Sequence, residues 1–411
     1  MGNILYLWTQ SVNNGIMKYI HYSFLVVLAL FCSCKKHSDI SVIDVVGNLN
    51  NVKNVNLSDI ATSIRYIPLE TNNECIVGRI IKILYINELL LLLDENNTVF
   101  IFDNDGNLVT KISRGGNGPE EFTFATGFMD PMTGNSFYIN TLDEIIEYDF
   151  KGNFIRRFNI PKTPGATARL IRVIEKNLFV TSLNDKEKCL YGISVFDDRG
   201  TIHYDYKYDY KENPIYTSPN GSYTVSFPAP SIYQCSDNSI KFCFPYDSEI
   251  QRYSYHENIV DTVYHISFGK YGQTPESSFT DPNARIISLP VIMESKNYLF
   301  MRLGLRAFSP FKSSAFALGI HYKNSGEMVI INDDALNIDQ GTINDSGVED
   351  DLKYGPRFWP MLLTVDGLAI SFIDAPKFIA SASDSNNPEV RAILNSIDEN
   401  SNPIIAIVKL K

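Results

Sequence analysis

Several components of common catalytic and metal sites are scarce or missing in this sequence of 411 residues. It has six histidines, none at a spacing typical of metal ligands, and six cysteines without a Cys-x-x-Cys pair. Zinc and dithiol redox sites are therefore not indicated. No Gly-x-Ser-x-Gly segment occurs, so nothing points to a hydrolase of the nucleophile-elbow type. The sequence predicts no metal and no cofactor, and it leaves any catalytic residue unassigned.

Positive charge is also in deficit. The 36 Lys and Arg residues are outnumbered by 47 Asp and Glu residues, which gives a formal net charge of −11. The long-range field repels phosphate backbones, so nucleic acid is not an expected partner. With 44% hydrophobic and 12% aromatic residues, the chain has the composition of a folded globular protein.

No apolar run is long enough to span a bilayer as a helix. The apolar stretch at residues 22–33 has only twelve residues, follows the basic residue Lys18, and has the pattern of a secretory signal. Residues 1–33 are therefore predicted to be a signal peptide. Because Met17 precedes Lys18 directly and residues 1–16 carry no charge, we expect Met17 to be the true start.

The end of this signal, Leu30-Phe-Cys-Ser-Cys34-Lys-Lys36, resembles a bacterial lipobox. In such signals the cysteine is lipidated and becomes the new N-terminus, which predicts acyl chains on Cys34 as a membrane anchor. Residues 34–50 then form the lipidated N-terminus and tether. The alternative is a plain signal peptide with incidental cysteines. The remaining cysteines are widely scattered, so no structural disulfide is predicted.

A hairpin pattern recurs along the chain. An aromatic residue, an aspartate and, three positions later, a glycine occur in each copy, and the aromatic positions are separated by 46 and 48 residues. This spacing is typical of propeller blades. Glycine supplies the positive φ of the turn, the aspartate accepts hydrogen bonds from turn amides, and the aromatic side chain is expected between neighbouring sheets. The copies are Phe102-Asp103-x-x-Gly106, Tyr148-Asp149-x-x-Gly152 and Phe196-Asp197-x-x-Gly200.

These patterns predict an all-β fold. Each hairpin follows another strand pair, and six units can be counted from Gly78 to the C-terminus, so residues 51–411 are predicted to form a six-bladed β-propeller with four-stranded antiparallel blades. Residues 41–69 are placed to donate a strand to the last blade, which would close the ring and remove a free sheet edge. The last unit brackets a helical stretch at residues 376–397.

Four segments carry a family resemblance: Tyr66–Glu70, Glu74–Gly78, Arg114–Phe122 and Asn402–Lys411. They resemble the six-bladed β-propeller lipoproteins of Bacteroides-type bacteria, whose blades are similar to NHL repeats. The resemblance covers the chain from about Leu57 to its end. It implies a six-bladed ring on a lipid anchor, and no established activity. In the loop after Arg114 the family pattern has glycine where this chain has Glu120.

This loop is a candidate ligand site. Its glycine-rich backbone offers amides to an anion, and Arg114, Asn117 and Glu121 offer polar side chains for charge-assisted hydrogen bonds. The alternative is that Arg114 and Glu121 only tie two blades together.

Aromatic residues form a second candidate. The alternating segment Tyr204–Lys211 places Tyr204 and Tyr206 on one side of a strand, where stacked rings suit sugars. Packing between blades is the alternative explanation, and the same two readings apply to Trp359.

Two functions remain open from sequence. The first is a binding or scaffold module in the cell envelope for a glycan, peptide or protein partner. The second is a propeller lyase or hydrolase with its site at the channel mouth. A cluster of His, Arg and carboxylate groups there would favour the enzyme. Lys35 and Lys36 replace the acidic run of a surface-export signal, so we expect an outer-membrane lipoprotein that faces the periplasm.

Overall fold

The structure is a computed structural model. It describes residues 40–411 except 114, 117, 133, 162–170, 186–189, 209–214, 218, 222–223, 227–229, 236–238, 245–246, 273–283, 307–314 and 332–346. The predicted signal peptide and Cys34 lie outside the described residues.

The N-terminal segment precedes the first blade and supplies three strands and two short helices. These are β1 (Ser41–Asp44), α1 (Val45–Asn48), β2 (Val52–Lys53), α2 (Leu57–Ile60) and β3 (Ala61–Pro68).

The rest of the described chain forms successive antiparallel sheets, each built from consecutive strands. Blade 1 contains β4 (Ile80–Ile86), β5 (Leu89–Asp94), β6 (Val99–Phe102) and β7 (Leu108–Ile112). Blade 2 contains β8 (Gly127–Met129), β9 (Ser136–Asn140), β10 (Glu144–Asp149) and β11 (Phe154–Asn159). Blade 3 contains β12 (Ile171–Glu175), β13 (Leu178–Asp185), β14 (Leu190–Asp197) and β15 (Ile202–Tyr208).

A small hairpin, β16 (Ile215–Thr217) and β17 (Thr224–Ser226), separates blades 3 and 4. Blade 4 contains β18 (Ser231–Gln234), β19 (Ile240–Cys243), β20 (Glu249–Ser254) and β21 (Ile259–Ser267). A 3-10 turn, Gly269–Tyr271, follows it. Blade 5 contains β22 (Ile286–Glu294), β23 (Tyr298–Arg306), β24 (Ala315–Tyr322) and β25 (Met328–Ile331). Blade 6 contains β26 (Leu362–Leu363), β27 (Leu368–Ile373), β28 (Ile404–Leu410) and the N-terminal β3.

The first strands of consecutive blades contact one another in the order β4, β8, β12, β18, β22 and β26. They are therefore the innermost strands and surround the central channel. The predicted six-bladed β-propeller is confirmed.

The N-terminal strand β3 closes the ring, as predicted. It pairs antiparallel with β28, and Ile67 lies opposite Ile405. The sequence did not reveal two further pairings: β1 adds a fifth strand to blade 4 beside β21, and β2 pairs parallel with β25 of blade 5. Residues 41–48 were predicted to belong to the tether, but they include a strand of blade 4, Ser41–Asp44.

The repeated turns have the predicted conformation. Gly106, Gly152 and Gly200 have φ values of 88°, 84° and 79°. In the first turn the Oδ1 atom of Asp103 accepts hydrogen bonds from the backbone amides two and four residues later, both at 2.9 Å. The aromatic residues that precede the aspartates are fully buried in the layers between blades: Phe102, Tyr148 and Phe196.

The predicted helical stretch in blade 6 is also present. Helices α3 (Ala375–Ala382) and α4 (Pro388–Ser396) lie between β27 and β28, and the Asn387 side chain caps α4 by accepting from the amides of its first turn. Phe378 of α3 packs edge-on against Tyr66 of β3, with 5.2 Å between ring centroids. In the described part of the chain, no helix has both the length and the apolarity needed to cross a bilayer.

Candidate functional site at the channel mouth

Each blade has two ends that differ in their connections. In a four-stranded antiparallel blade, the turn between the second and third strands lies at the same end as the connection to the next blade. We call this the loop-bearing end. It carries long segments of the described chain, among them residues 347–361 before blade 6 and residues 374–403 between β27 and β28. Because binding residues are concentrated on loops that a rigid scaffold positions, the channel mouth at this end is the candidate site.

Two cationic side chains lie on innermost strands near this end. Lys82 is the third residue of β4 and Arg172 is the second residue of β12. Blade 2 separates these strands along the ring, yet the charge of Arg172 acts on Lys82.

Irregular pairing turns some innermost side chains toward solvent. In blade 1, Ile80 pairs with Asp94 but Lys82 pairs with Leu93, so Ile81 is a bulge residue. Ile81 is 40% exposed and Lys82 is exposed beside it. The innermost strands of blades 3 and 5 also pair irregularly, between Val173 and Glu175 and between Ser288 and Val291. β-Bulges re-aim side chains in this way at functional rims.

The two cations have no anionic partner among the described residues. Arg172 donates from Nη1 to the carbonyl oxygen of Ile171 at 2.8 Å. Asp94, at the same end of blade 1, is buried, and its carboxylate accepts from the amides of its own turn, including that of Thr98 at 2.9 Å. Its charge is thus already engaged.

The surroundings of these cations remove part of their hydration. Burial lowers the pKa of Lys82, and the nearby charge of Arg172 lowers it further. Burial also lowers the pKa of Arg172. Lys82 keeps contact with solvent, so the channel wall reduces its hydration without excluding water or a ligand. A charged side chain that has no counter-ion and has lost part of its hydration interacts strongly with an ion of opposite charge.

The predicted loop site is only partly described. Arg114 and Asn117 lie outside the described residues. The carboxylate of Glu121 accepts a hydrogen bond from the Gly118 amide at 2.8 Å. The backbone carbonyl oxygen of Glu121 accepts a second one from Nη2 of Arg157, on β11, at 2.6 Å. Glu121 therefore folds the loop back on itself and fastens it to blade 2.

The predicted aromatic site lies between blades. Tyr204 stacks on Tyr253 with 5.2 Å between ring centroids, and Tyr206 packs at 5.9 Å against Phe242. Both partners belong to blade 4, so the ring faces are occupied by protein. Trp359 is buried and meets Phe300 edge-on at 5.5 Å. The structure does not bring these aromatic residues to the channel mouth.

A buried ionic cluster links blades 4 and 5. The Glu294 carboxylate is 1% exposed and accepts from Nζ of Lys241 and of Lys323, both at 2.7 Å. The Tyr264 hydroxyl donates to the same oxygen at 3.0 Å. Sequence reasoning missed this cluster because its members are distant in the chain. Across the described ranges, no group of three or more His, Cys, Asp or Glu residues is arranged to hold a metal ion.

Comparisons with known proteins show the family and the fold. A family model described as a domain of unknown function, DUF4934, matches residues 40–409. No curated protein matches the chain. A Bacteroides fragilis protein described as exported has 19% identity and a TM-score of 0.63, over 90% of this chain and 99% of that one. A DUF4221-family member from Bacteroides vulgatus has 13% identity and a TM-score of 0.47, over 85% and 97% of the two chains.

Proposed function

The chain belongs to the DUF4934 family, and we propose that it is a binding module of the cell envelope, lipid-anchored through Cys34 in the outer membrane on its periplasmic side. Its ligand, a group on a glycan, peptide or protein, meets the channel mouth at the loop-bearing end. The Bacteroides fragilis protein of similar fold is described as exported, in agreement with the signal at residues 1–33.

One observation carries this proposal. A bulge in the innermost strand of blade 1 places the exposed side chains of Ile81 and Lys82 next to each other near the loop-bearing end. Ligand sites combine apolar surface with a few convergent polar groups in this manner. The alternative candidates, Tyr204, Tyr206 and Trp359, pack against protein instead.

The anchor would hold the ring close to the membrane. Six residues separate Cys34 from the first residue of β1. At about 3.5 Å per residue, this tether reaches about 25 Å at full extension. A Cys34→Ala variant is expected to lose acyl labelling and to leave the membrane fraction, and membrane retention without Cys34 would contradict the anchor.

Binding at the mouth is tested with a variant that fills it without changing charge. Wild-type protein, Ile81→Trp and the control Ile202→Trp are compared by calorimetry with neutral and acidic oligosaccharides and peptides. Ile202 is 50% exposed on the outermost strand of blade 3. We expect at least one probe to bind wild type and the control, with affinity reduced at least tenfold in Ile81→Trp. If no probe binds, or if Ile81→Trp binds equally well, the proposal is wrong.

A further inference from the structure

We infer that the protein has a second binding site, on the outer rim of the ring between blades 2 and 3, and that this site takes a neutral sugar unit of a glycan. The site is a cleft of about 520 Å³. Residues 158–161, at the end of β11, and residues 198–200, in the turn between β14 and β15, line it. Its volume lies in the range of about 300–1,000 Å³ that is typical of small-ligand sites. The inference goes beyond the proposed function, which concerns the channel mouth.

The cleft occupies a junction that recurs around the rim. In blades 1, 2 and 3, the turn before the outermost strand lies against the end of the outermost strand of the preceding blade. Between blades 6 and 1 this junction is closed. The Glu70 carboxylate crosses it and accepts a hydrogen bond from the Leu108 amide at 2.8 Å, and a Cβ atom added at Gly106 would clash with Pro68.

Between blades 2 and 3 the chain takes a different course. The Ile160 amide donates to the carbonyl oxygen of Asp143 at 2.8 Å, so the chain after β11 turns back onto its own blade. Among the described residues, a Cβ atom added at Gly200 would come no closer than 4.0 Å to another atom, the carbonyl oxygen of Asn159. The junction between these two blades is therefore wider, and the cleft is the space that results.

One wall of the cleft is fixed by a network of hydrogen bonds across the two blades. Arg156, on β11, donates from Nη1 to Oδ2 of Asp198 and from Nε to Glu147, both at 2.6 Å. Its Nη2 atom donates to the Tyr138 hydroxyl at 3.0 Å and to Oδ1 of Asn177 at 2.8 Å. Asp198 is thereby held in place before a ligand arrives, and such pre-organisation reduces the entropy lost on binding.

The charge of the lining favours a neutral ligand. Asp198 and Arg199 are the charged residues that line the cleft, and their formal charges cancel. An anion would approach the carboxylate of Asp198, and a cation would approach the guanidinium of Arg199. A ligand without a formal charge avoids both repulsions.

The remaining polar groups suit hydroxyl groups. Among the described residues, the side chains of Asn159 and Arg199 and the Oδ1 atom of Asp198 have no hydrogen-bond partner. They offer a guanidinium that donates, a carboxylate that accepts and an amide that does both, and a sugar hydroxyl can donate and accept.

Apolar residues complete the lining. Phe158, Ile160 and Pro161 provide surface for the C–H groups of a sugar ring. Apolar surface combined with a few convergent polar groups is the usual composition of a ligand site. A neutral sugar presents both kinds of surface in one small unit, and it therefore matches the cleft.

The test uses the mature protein and saturation-transfer NMR with glucose, galactose, mannose, N-acetylglucosamine and lactose as probes. Asn159→Trp fills the cleft, and Arg199→Met removes its cationic donor. The first control is Ser113→Trp, at the corresponding position after the outermost strand of blade 1. The second control is Lys151→Met, which changes the equivalent turn position of blade 2. All four residues are exposed, so thermal unfolding should be unchanged in every variant.

We expect at least one sugar to bind wild type, both controls and Ile81→Trp with the same affinity. Arg199→Met should weaken binding of that sugar by at least about tenfold, because a hydrogen bond to a charged group is lost. Asn159→Trp should abolish it. The acetylated and amidated peptide Gly-Ser-Gly serves as a neutral probe that is not a sugar, and it should bind more weakly than the sugar.

Three results would overturn the inference. The first is that no sugar binds wild type, and the second is that Asn159→Trp binds sugar as well as wild type does. If Ile81→Trp loses sugar binding in that second case, the sugar occupies the channel mouth, and the proposed function stands without a rim site. The third is that the peptide binds the cleft more tightly than every sugar, which would refute the assignment to a sugar.

Discussion

Gly106, in the turn of blade 1, lies directly against the carbonyl oxygen of Pro68 at the end of the ring-closing strand. A Cβ atom at Gly106 would be 2.4 Å from that oxygen. The Glu70 amide donates to the Gly106 carbonyl oxygen at 2.8 Å, so backbone contacts fix the corner. Gly152 occupies the equivalent corner of blade 2, where an added Cβ would be 3.2 Å from Ile112. The turn of one blade thus rests on the outermost strand of the preceding blade.

The substitution Gly106→Ala should therefore lower the free energy of unfolding by more than the strain of a positive φ angle alone. Gly106→Ala adds a backbone clash to the left-handed strain, whereas Gly326→Ala, with φ of 72° and open space around it, adds only the strain. We expect about 1 kcal/mol loss for Gly326→Ala and at least twice that for Gly106→Ala. Urea unfolding measures both, and equal losses would contradict the close contact with Pro68.

The buried cluster between blades 4 and 5 should be sensitive to neutralisation of its acid. Glu294→Gln leaves Lys241, whose side chain is 6% exposed, without its counter-charge. We expect the free energy of unfolding to fall by about 3–5 kcal/mol. The control Glu327→Gln removes an exposed pair with Lys53 and should cost less than about 1 kcal/mol. Similar effects in both variants would show that Glu294 is not the centre of a buried network.

Ring closure by β3 should dominate the stability of the last blade. Ile67 is 3% exposed in the core between blades 6 and 1, and Ile67→Ala is expected to lose about 2–5 kcal/mol. The same substitution at the half-exposed Ile202 should change stability by about 0.5 kcal/mol or less. Thermal or denaturant unfolding of both variants provides the comparison. A small effect at Ile67 would argue against its burial between closed blades.

The turn aspartates should make the protein acid-sensitive. Burial raises the pKa of Asp103, Asp149 and Asp197, but hydrogen bonds from side chains and amides of the turns outweigh it, so each pKa lies below the ordinary value of 3.8. Their folded-state pKa is lower than the unfolded one. The stabilisation is therefore complete above pH 3.8 and is lost as pH falls through the folded-state values.

The triple variant Asp103→Asn, Asp149→Asn and Asp197→Asn removes these titrations. Its stability should decrease less steeply below pH 4 than that of wild type. Unfolding free energies measured between pH 2.5 and 6 test this, with His203→Gln as a control for the imidazole that contacts Asp197 at 3.0 Å. If the free energy of unfolding falls equally steeply with decreasing pH in wild type and in the triple variant, the turn aspartates are not the cause of the acid sensitivity.

Much of the fold could be predicted because its determinants are local. Phe102, Tyr148 and Phe196 stand at the same point of a repeated turn, and each is buried in an equivalent layer between blades. The turn glycines have positive φ for the reason that the sequence suggested. The turn residues of each hairpin, within about ten positions of one another, were enough to predict the repeat and the type of blade.

The candidate site could not be predicted in the same way. Lys82 lies in an apolar strand, and a bulge at Ile81, invisible in the residue pattern, decides which side chains face the opening. Conversely, Tyr204 and Tyr206 had the pattern of a sugar platform, but the neighbouring blade covers their rings. The neighbouring blade decides whether a row of aromatic rings on a strand is exposed to solvent. The periodicity of the sequence does not show how that blade packs.

The order of pairing at the N-terminus also bears on when this protein can assemble. β1, β2 and β3 are made first, but their partners are β21, β25 and β28, the last of which ends at Leu410. The pairing of β3 with β28 therefore joins the two ends of the described chain and forms only after nearly all of it has been made. Such long-range pairing also slows folding. Wherever the chain folds, its ring therefore cannot close before Ile404–Leu410 is available to pair with β3.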